Sequence, residues 1–503
     1  MLRAARAARR LAVGVLLVPV LAACGRQRPA LSPHATASAV DRLRHELDAV
    51  LAAPALASGV WGIVVRSLAR DDTLYSVNAR TLLVPASSLK LATLAVAAER
   101  LGWDHSFETR LVASGTVDNG ILVGDLVVIG SGDPSLMDAD GSAPRVFADW
   151  VDRLVALGVR QVTGRVIGDD NAFDDEALGA GWMWDDLASA YSAGIGALQL
   201  NLNTARVRVA PGLRPGDPAS IVLTSGSGGL ALRNVVVTGE AGSTPTVVTR
   251  RQIGSSIVEL AGSVALGAVA IERVVAVDNP TLNFVSELRK ALVAGGIAVG
   301  GDAVDVDALA QPVDRSAGIT VGTHRSPPLD ELALTLMKTS QNQYAETLLK
   351  ALGDAGGTAT FERGRQVIRE VLGQWGVPTR ELVLADGSGL SRYNLITPTA
   401  LVAILTHVFH EDRLRQPFVA SLPVAGTDGT LSGRLKNTPA AGNLRAKTGS
   451  MTHARSLSGY VNTADGEPLV LAIVVNNFGV PATVVDDATD TIVARLASFS
   501  RTR

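Results

Sequence analysis

The chain has 503 residues, of which 47% are hydrophobic, so it is long and apolar enough for about three domains with packed cores. Its formal net charge is only −2 and both signs are scattered along the chain, so we predict no nucleic-acid partner. The single cysteine, Cys24, cannot form an internal disulfide.

The N-terminus is predicted to be an export signal with a lipid attachment site. Several arginines precede the apolar run 11–23, which is shorter than the ~20 residues that span a bilayer. The run ends in Leu-Ala-Ala-Cys-Gly, which resembles a bacterial lipobox. We therefore predict a signal peptide over 1–24, lipid on Cys24 that holds the protein at the outer face of the membrane, and a flexible tether over 25–39. An ordinary secretory signal, in which Cys24 has no role, is the alternative.

The first motif that carries chemistry follows a predicted helix at 40–53 and a predicted strand at 60–67. It is an S-x-x-K sequence, with Ser87 and Lys90 at its two ends. Apolar residues then recur with the spacing of a buried helix that opens at Ser87. Because residues three apart share a helix face, Lys90 is expected to reach the Ser87 hydroxyl.

The composition changes between about 107 and 306. This stretch is rich in valine, threonine and glycine, with short alternating or apolar runs and an Asn119-Gly120 sequence that is typical of a hairpin turn. It is therefore predicted to be β-dominated material inserted into a catalytic α/β domain. Helical patterns resume at 330–339 and 344–352, so the S-x-N sequence of Ser340 and Asn342 is expected in the turn between two helices.

The third motif, a K-T-G sequence followed by serine, begins at Lys447. An accidental K-T-G is expected only about 0.04 times in a chain of this composition, so the motif is a specific signal. It lies at the end of a predicted strand, where a cation on a strand edge can meet a substrate. The elements predicted in this region are strands at 444–448, 456–461 and 469–476, and a closing helix at 483–498.

Together the three motifs, in this order, form the parts of an active-site serine acyl-transfer centre. Five further short sequences also match one known protein family. They are Gly124-Asp125-Leu126, Gly130-Ser131-Gly132-Asp133-Pro134, Gly181-Trp182-Met183-Trp184-Asp185-Asp186, Asp386-Gly387-Ser388-Gly389-Leu390-Ser391 and Gly426-Thr427-Asp428-Gly429-Thr430-Leu431. With these residues the chain resembles the D-alanyl-D-alanine carboxypeptidase/endopeptidase family, the class C low-molecular-mass (type 4) penicillin-binding proteins, over about 40–500.

The resemblance implies a fold as well as a chemistry. We expect an α/β (α+β) catalytic domain like that of the serine DD-peptidases and β-lactamases, built from 40–105 and 307–503. The β-rich insertion, 106–306, is expected to form two nested domains, with the inner one at about 133–206.

The nucleophile and its base are assigned from the S-x-x-K motif. Ser87 would attack the carbonyl between two D-alanines, or the strained amide of a β-lactam, to give an acyl-enzyme. Lys90 would act as the base, which requires its pKa to fall from ~10.4 to near 7–8 through exclusion of water and a second cation nearby. That cation is Lys447, which is also expected to pair with the C-terminal carboxylate of the peptide.

The other residues of the motifs are given supporting roles. Thr448 would help Lys447 to bind the carboxylate, and Gly449 would let the substrate backbone approach the strand edge. The backbone N–H groups of Ser87 and Ser450 would form the oxyanion hole. Ser340 would pass a proton to the departing amine. Asn342 would hold either Lys90 or the substrate amide.

With these residues, the resemblance implies a serine-type D-Ala-D-Ala carboxypeptidase that acts on peptidoglycan stem peptides at the cell envelope, outside the cytoplasm, and is inhibited covalently by β-lactams. We predict no cofactor and no metal. Endopeptidase activity, and the diamino acid of the stem peptide, stay open. Two alternatives also stay open: a β-lactamase, which would need an efficient deacylating water, and a non-catalytic wall-binding lipoprotein, which would normally have lost Ser87 or Lys90.

Overall fold

The computed structural model describes residues 38–502, except 227, 229, 253, 312, 314–317 and 355. The predicted signal peptide, with the lipid site Cys24, and all but the last two residues of the predicted tether lie outside the described residues. Among the residues described, no helix has both the length and the apolar character that crossing a membrane requires.

The helices are α1 (Ala39–Leu51), α2 (Lys90–Leu101), α3 (Ser142–Ala156), α4 (Pro280–Ala294), α5 (Leu329–Lys338), α6 (Asn342–Leu352), α7 (Phe361–Gln374), α8 (Pro398–His410), α9 (Asp412–Ser421) and α10 (Ala482–Ser498). The strands are β1 (Val60–Ser67), β2 (Thr73–Val77), β3 (Glu108–Asp118), β4 (Ile121–Gly130), β5 (Gln161–Val162), β6 (Val166–Asp169), β7 (Thr204–Ala210), β8 (Ser220–Ser225), β9 (Ala231–Gly239), β10 (Val248–Arg251), β11 (Ile257–Ala265), β12 (Ile271–Ala276), β13 (Ala298–Val299), β14 (Ala303–Asp305), β15 (Ile319–Arg325), β16 (Leu382–Val383), β17 (Leu395–Ile396), β18 (Arg445–Met451), β19 (Ala454–Asn462) and β20 (Pro468–Asn476).

The five-stranded sheet of the predicted catalytic domain, which we call the catalytic sheet, is built from the two ends of the described chain. Its strand order is β18-β19-β20-β1-β2, and every neighbouring pair is antiparallel. One face packs on α1 and α10, and the other on the helices around α2 and α8. Because both faces are covered, β20 is an almost uninterrupted apolar strand rather than an alternating one.

Helix α2 lies in the middle of the helical layer and carries the S-x-x-K motif at its start. Its small and apolar residues are buried from Lys90 to Ala98, which lets other helices pack closely around it. A 3₁₀ turn, Ala86–Leu89, leads directly into the helix. The helix predicted to open at Ser87 therefore begins as a 3₁₀ turn and continues as an α-helix.

The insertion contains a seven-stranded sheet as well as two helices that the sequence did not predict. The sheet has the order β13-β5-β4-β3-β15, with β6 and β14 attached, and α3 and α4 pack on it. Helix α3 has the helical apolar spacing of Ala143, Phe147, Trp150 and Leu154 within a segment whose overall composition is β-like. Strand β15 lies beyond residue 306, so this sheet extends further than the predicted insertion.

The insertion also contains two three-stranded sheets of its own, β12-β7-β8 and β10-β11-β9, which share one apolar core. They span 204–276, and we call them the inner β-layer. The segment 133–206, predicted as the inner domain, instead contains α3, β5 and β6 of the seven-stranded sheet. We infer that the inner unit of the insertion is 204–276. Composition does not indicate this boundary, because valine, threonine and glycine are abundant on both sides of it.

Candidate active site

The turn 84–89, which carries the predicted nucleophile Ser87 and which we call the nucleophile turn, is held in an unusual backbone conformation. Ala86 has φ of 46°, a left-handed value that costs free energy in any residue with a side chain. Asn476 fixes the approach to the turn, because its Oδ1 accepts from the N–H of Val84 at 2.7 Å and its Nδ2 donates to the carbonyl of Val84 at 3.1 Å. In a 3₁₀ turn, residues three apart lie directly above one another. Lys90 accordingly places its Nζ 2.9 Å from the Ser87 Oγ.

Lys90 is fully buried and makes three polar contacts. Its Nζ lies 2.9 Å from the Ser87 Oγ, 2.7 Å from the Asn342 Oδ1 and 2.8 Å from the main-chain carbonyl of Ser388. Burial lowers the pKa of Lys90 to about 7, although the nearby charges of Asp386 and Glu346 act to raise it. The value lies at the lower end of the predicted range, and burial is its main cause.

These contacts determine where the lone pair of a neutral Lys90 points. A neutral amine keeps two N–H bonds and one lone pair, whereas two of its partners, the Asn342 Oδ1 and the Ser388 carbonyl, can only accept. The two N–H bonds are therefore committed to those acceptors. The lone pair is left for the hydroxyl hydrogen of Ser87, which is the geometry that a general base needs.

The second lysine lies in the same buried region. Lys447 donates to the Ser340 Oγ at 2.8 Å and to the carbonyl of Thr448 at 2.7 Å. Burial, and after it the charge of Lys90, lowers the pKa of Lys447 well below its usual value. Ser340 occupies the turn between α5 and α6 with φ of 62°, so this predicted site residue also has a left-handed backbone conformation.

The K-T-G strand lies against the nucleophile turn. A Cβ added to Gly449 would lie 2.2 Å from the Ser456 Oγ, 2.6 Å from the carbonyl of Pro85 and 3.0 Å from the backbone nitrogen of Ser87. The glycine is therefore required by the protein's own nucleophile turn, a reason that the sequence did not indicate. Ser450, the next residue on β18, is exposed.

Thr448 has a neighbour that the sequence analysis did not place in the site. Its Oγ1 donates to the Thr430 Oγ1 at 2.7 Å. The loop of Thr430 is fixed by Lys338, whose Nζ contacts the Asp428 Oδ2 at 2.7 Å. The G-T-D-G-T-L sequence quoted for the family resemblance therefore lies beside the K-T-G strand.

Sequence reasoning also missed the loop that presents the Ser388 carbonyl to Lys90. Asp386 closes this loop, since its carboxylate accepts from the N–H of Gly389 at 2.8 Å and of Ser391 at 2.6 Å. The D-G-S-G-L-S sequence was visible as a family match, but nothing in it indicated contact with the lysine.

Glu346 holds the same loop from α6. Its carboxyl oxygens accept from the N–H of Gly387 at 2.9 Å and of Ser388 at 2.7 Å. Burial, and after it the charge of Asp386, raises the pKa of Glu346 to about 8. No motif contains Glu346. Its only sequence signal is its position four residues after Asn342, one helical turn further along α6.

The insertion contacts Asn342 through a carbonyl group, and it contacts the Ser388 loop through Trp182, whose Nε1 donates to the Asp386 Oδ2 at 3.0 Å. The Asn342 Nδ2 donates to the carbonyl of Tyr191 at 2.8 Å, so Asn342 is held between Lys90 and the insertion. The structure thus brings Ser87, Lys90 and Asn342 into direct contact, and Lys447 with Ser340 beside them.

This constellation agrees with the comparison of the whole chain with known proteins. The sequence model of the D-Ala-D-Ala carboxypeptidase 3 (S13) family matches residues 43–499. The chain belongs to this family. The family predicted from the three motifs is therefore confirmed.

Individual members of the S13 family extend this result. The chain is 37% identical over 486 residues to D-alanyl-D-alanine carboxypeptidase of Actinomadura sp. (strain R39), covering 94% of this chain and 87% of the relative. It is 27% identical over 426 residues to D-alanyl-D-alanine carboxypeptidase DacB of Haemophilus influenzae, covering 83% of this chain and 85% of the relative.

The fold is shared with a solved structure. Penicillin-binding protein 4 (dacB) from Haemophilus influenzae superposes with a TM-score of 0.78 at 24% identity, over 90% of this chain and 99% of that chain. A second structure of that protein, complexed with a β-lactam, has a TM-score of 0.73 at 23% identity with the same coverage. The predicted mixed α/β fold class is confirmed.

Proposed function

We propose that the protein is a serine-type D-Ala-D-Ala carboxypeptidase that removes the terminal D-alanine of peptidoglycan stem peptides through an acyl-enzyme on Ser87. The observation that carries the proposal is the set of three contacts of Lys90, which leaves its lone pair for the Ser87 hydroxyl. The names of the S13 relatives supply the substrate class. The β-lactam complex of the Haemophilus influenzae protein supports acylation by the same drugs here.

In the acylation step, the Ser87 Oγ attacks the carbonyl carbon of the penultimate D-alanine while Lys90 takes its proton. The C–O bond forms as the carbonyl π electrons move to oxygen, and the N–H groups of Ser87 and Ser450 stabilise that oxyanion. Collapse of the intermediate breaks the C–N bond. The departing amine takes up a proton from the Ser340 hydroxyl, which regains one from Lys447 at 2.8 Å. Lys447 is recharged by the proton that Lys90 took from Ser87, so Lys90 is neutral again before deacylation.

Deacylation uses one water molecule and restores the enzyme. Water attacks the ester carbonyl, Lys90 accepts its proton, and the Ser87 oxygen leaves with a proton returned from the same amine. The products are free D-alanine and a peptide shortened by one residue. A β-lactam follows the first step only, because its ring nitrogen stays attached to the acyl group and continues to occupy the site.

Lys447 and the paired threonine hydroxyls form the proposed subsite for the terminal carboxylate. Lys447 is buried with a lowered pKa, so a bound carboxylate would supply the missing negative partner and favour its charged form. Thr448 and Thr430 add two hydroxyl groups within 2.7 Å of one another. A peptide that ends in a free carboxylate is therefore favoured over its C-terminal amide.

Labelling with fluorescent penicillin tests the proposal. Ser87→Ala should reduce covalent labelling to background, because the attacking oxygen is gone. The melting temperature of this variant should be unchanged. Ser88→Ala is the matched control, since the Ser88 Oγ faces the Ser456 Oγ at 2.7 Å in the interior, and this variant should still be labelled. Label retained by Ser87→Ala would contradict the assignment.

The lifetime of the label separates the alternatives. A stable acyl-enzyme together with D-alanine release from a D-Ala-D-Ala peptide supports a carboxypeptidase, whereas rapid turnover of penicillin would identify a β-lactamase. A wild-type protein that takes no label would be a wall-binding protein without this chemistry. Release of peptides from cross-linked dimers measures the endopeptidase activity separately.

We also propose that the protein acts outside the cytoplasm and is held at the membrane by lipid on Cys24. Peptidoglycan lies outside the cytoplasm, and the charged, apolar and Leu-Ala-Ala-Cys segments together resemble a lipoprotein signal. One acyl chain gives only marginal anchoring, with a partition constant of about 10⁴ M⁻¹, so several chains are required.

The anchor predicts that Cys24→Ala moves the protein from the membrane fraction to the soluble fraction. Penicillin labelling should be unaffected, because no step above uses a thiol. Mass spectrometry of the wild-type N-terminus provides the direct measurement. A mature chain that begins elsewhere and carries no lipid would contradict the anchor and show that the N-terminal segment is an ordinary secretory signal.

A further inference from the structure

The inner β-layer is not part of the catalytic centre, but one of its arginines holds the segment that contacts it. Arg251, at the end of β10, has only 10% of its side chain exposed. Its Nε donates to the carbonyl of Leu187 at 3.2 Å, and its Nη2 to the carbonyl of Ala276 at 2.5 Å. Its Nη1 contacts the Asp278 Oδ1 at 3.1 Å. One guanidinium group thus joins the inner β-layer to the segment that contains Leu187.

That segment, 186–192, which we call the relay turn, is tightly cross-linked. The N–H of Ser189 donates to the carbonyl of Asp186 at 2.8 Å, and the N–H of Ser192 to the carbonyl of Ser189 at 3.1 Å. The Tyr191 hydroxyl contacts the Asp186 carboxylate. The N–H of Ala276 on β12 donates to the carbonyl of Ala188 at 3.1 Å. A turn held in this way transmits the position of Leu187 to Tyr191.

The carbonyl of Tyr191 determines which way the Asn342 amide faces. A carbonyl can only accept a hydrogen bond, so it selects the Nδ2 of Asn342 at 2.8 Å. The Oδ1 must then point the other way, where it accepts from the Lys90 Nζ at 2.7 Å. Among the described residues, the Tyr191 carbonyl is the group on this side of the amide that distinguishes its two orientations.

We propose that Arg251 is a positioning residue, which fixes the relay turn so that the Tyr191 carbonyl orients the Asn342 amide towards Lys90. The inner β-layer then takes part in catalysis without contacting the substrate. This inference rests on the proposed function, since it requires Lys90 to be the base that activates Ser87.

Loss of this orientation has a specific chemical consequence. If the Asn342 amide turns over, its Nδ2 faces Lys90 and donates to the lone pair that Ser87 requires. The neutral amine is then blocked, and its charged form loses an acceptor, which lowers the pKa of Lys90. Acylation should be slower at high pH, and its midpoint should move to lower pH. A variant that is only less stable would not move the midpoint.

The experiment measures the second-order rate constant for penicillin acylation of the purified full chain between pH 5 and 9. Arg251→Ala should lower the plateau by about tenfold, which equals about 1.4 kcal/mol, and shift the midpoint downwards. Arg251→Lys, which keeps one donor group and the charge, should give an intermediate rate. Active-site titration corrects each rate for any unfolded fraction.

Arg273→Ala is the matched control. Arg273 lies on β12 of the same layer, and its hydrogen bonds among the described residues go to the carbonyl of Val247, at 3.1 and 3.2 Å, and to that of Glu272, rather than to the relay turn. This variant can lower the melting temperature but should leave the acylation midpoint unchanged. An equal shift in Arg273→Ala would overturn the proposal, because the effect would then report general damage to the layer.

A double-mutant cycle gives the direct measure of coupling. In an Asn342→Ala background, Arg251→Ala should cost no more than about twofold, since the amide through which Arg251 acts is absent. Additive losses would overturn the proposal. If the wild type is labelled but releases no D-alanine, the carboxypeptidase assignment fails, whereas the role of Arg251 is still decided by the acylation rates.

Discussion

Two opposing effects set the pKa of the Lys90 side chain. Deep burial excludes water and favours the neutral amine, while the charges of Asp386 and Glu346 favour the ammonium form, and the outcome is a pKa of about 7. A base with a pKa near the working pH is present in its active form and still accepts a proton readily.

The acylation rate of Ser87 by penicillin should therefore rise with pH to a plateau, with a midpoint near about 7. The sign follows from the base being the deprotonated form, which is populated above its pKa. Rates measured by stopped flow from pH 5 to 9 test this. Lys90→Arg should remain unreactive throughout, because a guanidinium group does not lose its proton in this range. A rate independent of pH would contradict the role of Lys90.

At the scale of elements, the junction of β18 with the nucleophile turn leaves no room for an added side chain. Gly449→Ala would push a methyl group to 2.2 Å from the Ser456 Oγ and 2.6 Å from the Pro85 carbonyl. We expect a loss of about 1–3 kcal/mol in the free energy of unfolding, together with a slower acylation as the turn moves. Denaturant titration and labelling kinetics provide the two measurements.

Gly433→Ala is the control for this effect, since an added Cβ there meets no heavy atom within 4 Å. Both variants add one methyl group, but only the first displaces the nucleophile turn. A Gly449→Ala protein as stable and as reactive as Gly433→Ala would show that the strand and the turn adapt independently.

Elements were predictable from sequence where a local pattern was complete. The apolar runs predicted β19 and β20 to within a few residues, and the three motifs contained both lysines of the candidate site and its hydroxyl groups except that of Thr430. Helix α3 was missed because composition over a long window outweighed its own periodicity. Glu346 and the Ser388 carbonyl were missed because their contacts join α6 to a distant loop, and a main-chain group carries no sequence signal.

At the scale of the whole molecule, the buried lysines make stability depend on pH. Lys90, Lys350 and Lys447 have side chains with no exposed surface, and burial is the main cause that lowers the pKa of each. Between the lowered folded pKa and the unfolded value near 10.5, the unfolded chain binds more protons than the folded one. Stability therefore increases with pH across that interval.

Glu346 acts with the opposite sign at lower pH. Its pKa is raised from 4.5 to about 8, so the folded state binds the extra proton between these values and stability falls as pH rises. Above about pH 8, Glu346 is ionised in both the folded and the unfolded state. Of these four groups, only the three lysines then make the stability depend on pH. The melting temperature should therefore rise from pH 8 to 9.5, and it should rise less in Lys90→Met. An equal slope in both proteins would show that Lys90 keeps an ordinary pKa when folded.

The pairing of Glu108 with Arg325, where β3 meets β15, places the two ends of the insertion side by side. Because these two ends are adjacent, the insertion connects α2 to α5 in the same way as a short loop would. The entropy lost on closing this connection therefore does not grow with the length of the inserted chain. Evolution can lengthen, shorten or exchange the inner β-layer at little cost to the stability of the catalytic part. The contacts made by the relay turn, rather than chain connectivity, then set the limit on which exchanges remain active.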